Sequence, residues 1–223
     1  MSLLNLTELS PDGSALLRNE PVQARSTARL ASLLDAAAAI IDEIGYERLT
    51  TAMVAERAGA SIGTVYRYFP DRVVVLQSLC ARSLALYTDA TLATMLDTEN
   101  TTWWEAIEAS INHMVAAFRF VPGFRSLRLG DVLDVRPALS AQPGSSVIAS
   151  VAATGLADRF GLPIENLADR LEAVIVLCDS LLSRAFRDDV NGDPKFISEA
   201  INISKAYLAS HYTIPAQFST SLG

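Results

Sequence analysis

Between Leu49 and Arg72 the chain reads LTTAMVAERAGASIGTVYRYFPDR, a stretch that leaves few choices of fold. Thr50 or Thr51 can cap a short helix that runs to Ala58, because a hydroxyl oxygen accepts from the free amides of a first turn. Gly59 breaks that helix, Ser61 caps another that ends near Phe69-Pro70, and Asp71 caps a third. Val54, Ala58, Ile62, Val65 and Phe69 are spaced to pack against a preceding helix, and Ala55 is small enough to let two helices cross closely. Two short helices joined at Ala58-Gly59-Ala60 have the layout of a helix-turn-helix, whose second helix fits the major groove of DNA.

The flanking sequence agrees. Leu30, Leu33, Leu34, Ala37, Ile40, Ile41 and Ile44 recur at spacings of three and four, which predicts an amphipathic helix over about Thr27–Ile44, stopped by Gly45. Beyond Asp71 the periods predict helices at about 72–97, 102–120, 123–129, 145–160, 164–188 and 195–212, with Pro122, Pro137, Pro143, Pro163 and Pro194 between them or at their starts. No strand alternation, internal repeat or low-complexity tract is visible. The expected fold is therefore all-α, about nine helices. Residues 1–25, with Ser10-Pro11-Asp12-Gly13 and Pro21, read as a flexible N-terminal arm; 26–72 form a three-helix DNA-binding domain; and 73–223 form a helical ligand-binding and dimerisation domain.

Composition limits the alternatives. Half of the 223 residues are hydrophobic and 19% are charged, a globular balance. The mean hydropathy of +0.26 implies extra buried apolar surface, at a subunit interface or a ligand cavity. No apolar run approaches the ~18–20 residues that span a bilayer, and the start lacks the layout of a signal peptide, so a cytoplasmic protein without a membrane partner is expected. Cys80 and Cys178 stand far apart with no metal-ligand spacing, which suggests core thiols, no metal site and no cofactor. The net charge of −7 speaks against a nucleic-acid partner until it is divided: residues 1–24 carry −2, 25–72 are neutral and 73–223 carry −5.

On the second short helix Ser61, Ile62, Gly63, Thr64, Tyr66, Arg67 and Tyr68 are the candidates to face DNA, with Thr50, Thr51 and Arg72 at phosphates. Small residues at its N-terminus let the backbone approach base edges. Tyr66 and Tyr68 read equally as half-buried packing residues, and Ser61 as a cap alone. The run from about Ala31 to Leu79, including IGYERLTTAMVAERAGASIGTVYRYFPDR, resembles the DNA-binding domain of the tetracycline-repressor (TetR/AcrR) family. That resemblance implies a homodimer on a palindromic double-stranded operator and, usually, repression relieved by a small-molecule effector. Carried over by position, it implies phosphate contacts from Thr50, Thr51, Tyr68 and Arg72, and base contacts from Ile62, Gly63, Thr64 and Tyr66. Ala52 stands where some members have a basic residue, and Arg25 and Arg29 are either DNA-facing or solvated.

Further along, Leu171, Ile175, Leu181 and Leu182, then Ile197 and Ile201, belong to helices apolar on more than one face, which suggests a dimer interface built from both. For the effector the candidates are Trp103, His113, Met114 and Phe118 as walls, and Arg125, Arg128 and Asp131 as polar contacts. Helical spacing gives the first group a core reading as well, and the charged trio a surface one. There is no nucleophile elbow, Walker loop, HExxH or dinucleotide fingerprint, so catalysis is not expected. The competing reading is a helical small-molecule binder or enzyme whose helix-turn-helix no longer binds DNA.

Overall fold

The computed structural model describes residues 16–127 and 143–213. Among them are nine α-helices and no strand: α1 (Leu16–Ile44), α2 (Thr51–Arg57), α3 (Ile62–Tyr68), α4 (Arg72–Met95), α5 (Trp103–Phe120), α6 (Phe124–Leu127), α7 (Gly144–Phe160), α8 (Leu167–Ala185) and α9 (Pro194–Ala209), with a 3-10 turn at Tyr46–Arg48. The caps fall where the side chains call for them. Thr50 Oγ1 accepts from the Met53 amide, Ser61 Oγ from Thr64 and Asp71 Oδ1 from Val74. Thr102 and Glu105 close a reciprocal capping box at the start of α5. Each such cap contributes about 1 kcal/mol.

One boundary departs from the sequence reading. Helix α1 begins at Leu16 rather than near Thr27, so residues 16–25 are helical rather than a flexible arm, and residues 1–15 lie outside the described part. Positions 25–29 are exposed and the core-facing stripe starts only at Leu30. Apolar periodicity marks where a helix touches a core, not where it starts, and Pro21 reinforced the misreading.

Two cores result. The N-terminal one is gathered from α1, α2, α3 and the first turns of α4, with Leu33, Ile41, Val54, Val65, Phe69, Leu76 and Leu79 at its centre. The C-terminal one is built by α5, α7, α8 and α9 with the rest of α4, around Trp104, Phe118, Leu156 and Leu182. Helix α4 serves both: Val75, Leu76, Leu79 and Cys80 pack into the first, Tyr87 and Met95 into the second. Leu127 of α6 also enters the N-terminal core.

The fit of α6 against α1 depends on Gly123. Its φ is +76°, which disfavours any side chain, and a Cβ there would lie 3.3 Å from the Ala38 carbonyl oxygen. Its amide donates to Asp42 Oδ1 at 3.3 Å. Arg82 of α4 adds a second tie to α1, donating to Asp35 Oδ1 at 2.8 Å.

Candidate DNA-binding face and effector cavities

Helix α3 divides cleanly. Val65 and Phe69 are buried, while Ile62, Gly63, Tyr66 and Arg67 face solvent, with Tyr66 52% exposed. Ile62 therefore leaves the packing role that its spacing had suggested. It stands four positions before Tyr66, which puts both on one outward stripe. The turn that sets α3 against α2 carries Gly59 at φ +58°, a left-handed conformation that costs glycine little.

Hydrogen bonds then fix what surrounds that stripe. Ser61 Oγ and Thr64 Oγ1 pair at 2.9 Å, so Ser61 is committed to the helix start. The Tyr68 hydroxyl shares a 3.1 Å hydrogen bond with Ser26 Oγ, joining α3 to α1, and the Arg67 guanidinium lies 5.2 Å from the Tyr68 ring. The Ser26 hydroxyl, helped by Arg67, draws the Tyr68 phenol below its ordinary range. Arg72 Nη1 donates to the Glu47 carbonyl at 2.6 Å, so this side chain braces the 3-10 turn.

The neutral balance of residues 25–72 conceals a segregation of charge. Arg57 of α2 forms a two-pronged pair with Glu43 of α1 at 2.8 and 2.6 Å. Arg25, Arg29 and Arg67 instead line one open groove between α1 and α3, beside Ser26 and Tyr68. Three cations next to an outward helix face suit a phosphate backbone.

The effector candidates scatter. Trp103 is buried, with its indole N–H donating to the Thr213 carbonyl at 3.1 Å. Phe118 is buried between the rings of Phe124 and Phe186. Arg125 Nε donates to the Phe118 carbonyl at 2.8 Å, serving the end of α5. Arg128 and Asp131 lie outside the described residues. Met114 borders a void of about 40 Å³ between α4, α5, α7 and α8. Among the described candidates, His113 lines a cavity of ligand size, about 490 Å³, where α1, α4, α5 and α6 meet. Its wall also includes Asp35, Arg82, Leu86, Tyr87 and Phe120, none of them singled out by sequence. Helical spacing groups Arg82 with Leu86 and His113 with Phe120, but nothing in the spacing joins those two stripes to each other or to Asp35.

The outer surface of α8 and α9 also differs from expectation. Leu171 and Leu182 face the chain's own core, while Ile175, Leu181, Ile197 and Ile201 are half-buried at its edge. The apolar side chains left outside are Val176, Ile203 and Tyr207. A helix apolar on two faces does not declare which face its own bundle takes.

Two family descriptions match this architecture. Residues 33–79 match the bacterial regulatory proteins of the tetR family, and residues 101–212 match the tetracyclin repressor-like C-terminal domain. The chain belongs to the TetR family. Within that family, the KstR transcriptional repressor of Rhodococcus jostii is 48% identical over 50 residues, 22% of this chain and 24% of the repressor. KstR of Mycobacterium tuberculosis is 43% identical over 53 residues, 24% of each chain. The chain thus spans about a quarter of the length of the curated relatives it matches. A TetR-family regulator from Streptomyces coelicolor superposes with a TM-score of 0.68 at 28% identity, covering 82% of this chain and 98% of that one. The fatty acid degradation regulator FadR of Bacillus halodurans superposes at 0.62 and 18% identity, covering 82% and 96%, a likeness of fold alone.

Proposed function

We propose that this TetR-family chain is a cytoplasmic, homodimeric, ligand-responsive transcriptional repressor rather than an enzyme, and that α3 reads its operator. The observation that carries the proposal is the outward stripe of α3 beside the Arg25–Arg29–Arg67 groove. The matched relatives are named as repressors, which supports the direction of control.

In this reading Ile62, Gly63, Thr64 and Tyr66 meet base edges. Thr50, Thr51, Arg67, Tyr68 and the three-arginine groove meet phosphates, and Ser61 and Arg72 hold the frame. Val176, Ile203 and Tyr207 form part of the two-fold interface. A dimer places its two recognition helices about 34–36 Å apart to reach successive major grooves. Because α4 enters both cores, an effector that shifts it changes that separation, and its differential affinity for the two states sets the response, typically ~1–3 kcal/mol. The effector site is the cavity of about 490 Å³ at the junction of α1, α4, α5 and α6.

The test is binding to the DNA upstream of the chain's own gene, followed by fluorescence anisotropy over a salt series. Affinity should fall steeply with salt, by a slope of about −0.9 for each phosphate neutralised. Tyr66→Ala should lose roughly 1–3 kcal/mol on operator but little on random DNA. Equal affinity for operator and random DNA in the wild type would refute the reading.

A further inference from the structure

The junction cavity is apolar over most of its wall but not at its rim. Ala38, Ala90, Ala116 and Ala117 make small-sided walls, while Leu86 and Phe120 project beside it, Phe120 78% exposed. Tyr87 and His113 stack with ring centroids 5.4 Å apart at 26°. A wall of this kind suits a flat, largely apolar molecule.

Its charges are few. Among the described lining residues Arg82 is the one permanent cation and Asp35 the one carboxylate. Burial holds His113 below the ordinary imidazole range, so it is mostly neutral near pH 7. Arg82 and Asp35 already pair with each other at 2.8 Å, and they are not equivalent. The Arg82 side chain is only 28% exposed and also donates to the Ala31 carbonyl at 3.4 Å, whereas the Asp35 side chain is 71% exposed.

That asymmetry decides which charge a ligand can bring. A ligand cation taking Arg82's place at Asp35 would leave a half-buried guanidinium without its counter-ion, which is costly. A ligand anion taking Asp35's place leaves only an exposed carboxylate, which water solvates at little cost. The geometry points to an effector that is a flat organic anion, its carboxylate received by Arg82 in exchange for Asp35. The exchange opens the Arg82–Asp35 tie between α4 and α1 at the moment the ligand seats. This deepens the effector reading above and rests on it for its consequence at DNA, though not for binding itself.

The test uses three probes with one ring system: 1-naphthoate, 1-naphthylmethanol and 1-naphthylmethylamine, titrated calorimetrically into the full-length protein without DNA. Naphthoate should bind about tenfold more tightly than the alcohol or the amine, the advantage of a charge-assisted pair. Arg82→Gln should reduce naphthoate to the level of the alcohol and leave the alcohol unchanged. Asp35→Asn, at an exposed position that threatens no core, should tighten naphthoate roughly threefold because the competing carboxylate is gone. Ala116→Phe should weaken all three by filling the cavity.

The inference is overturned if naphthoate shows no preference over the alcohol, or if Asp35→Asn weakens it or leaves it unchanged. Operator binding is measured separately. A wild type that binds these probes as expected but prefers no DNA would refute the regulator reading and leave the anion site standing.

Discussion

The two cores of this molecule are made of different material. The N-terminal one is almost wholly aliphatic, with Phe69 its one fully buried aromatic ring among Leu, Ile, Val and Ala. The C-terminal one holds Trp103, Trp104, Phe118, Phe124 and Phe186, with Tyr87 and Tyr212 at its margins. Branched aliphatics and alanines on closely crossing helices interdigitate and fix one arrangement. Large rings meeting edge to face, as Trp103 does with Trp104 and with Tyr212, pack by orientation as well as by volume. The difference suits a rigid reader joined to a sensor that must admit a guest. A cavity of about 490 Å³ lies at their junction, where α1 meets α5, with α4 and α6, which enter both cores, beside them.

Breaking the reader's core should have the largest effect. Phe69 is 1% exposed and anchors the end of α3. Phe69→Ala should cost about 3–5 kcal/mol through lost burial and the cavity left behind. Denaturant unfolding followed by tryptophan fluorescence checks it, since both tryptophans belong to the sensor core. Because α4 runs through both cores, the fluorescence midpoint should fall with the reader. An unchanged midpoint together with lost DNA binding would show that the cores unfold independently.

A smaller effect should separate the sensor's inner and outer faces. Val176→Asp adds a charge to the exposed side of α8 and should convert a dimer into the 24.0 kDa monomer without loss of helix. Sedimentation at micromolar concentration measures the mass, and circular dichroism the helix content. Leu182→Ala, one stripe away on the inner face, should lower stability by about 2–5 kcal/mol instead. If both variants remain dimers, the interface lies elsewhere.

The comparison also explains which features were legible in the sequence. The helix-turn-helix is written in contiguous chain: caps at Thr50, Ser61 and Asp71, a turn at Gly59, and a stripe at Val65 and Phe69 act within a few residues of where they stand. The junction cavity is lined by Asp35, Arg82, His113 and Phe120, which come from three helices that meet only after they have packed. Arg125 shows the same limit. A cation on a short helix beside Gly123 reads as a ligand contact, but its Nε donates to the Phe118 carbonyl at the end of the preceding helix. Leu171 and Leu182 were recognisable as apolar helix positions, not as inward ones, because periodicity gives a face and not its partner.

The smallest effect is also the most discriminating, because each core carries one buried thiol. Cys80 sits in the reader core and Cys178 in the sensor core, and burial pushes both thiols up to about 11. Cys178 is raised despite a contact with Ser204 Oγ at 3.4 Å, which works in the opposite direction. The neutral thiol is the form favoured in the folded state. Stability from this source is therefore present below the unfolded value near 9 and fades as pH rises toward 11, where the unfolded chain alone gains from ionising. At pH 8 neither thiol should react with a disulfide reagent faster than its core opens, since the thiolate is the attacking form. Mass spectrometry of partly labelled protein assigns a rate to each cysteine. If α4 binds the two cores into one unit, Cys80 and Cys178 should label at a common rate. A Cys80 rate well above that of Cys178 would show the reader opening alone and remove α4 as the rigid link. A ligand in the junction cavity, which touches α1 and α4 at once, should then slow both sites together or leave Cys178 untouched, according to which of these holds.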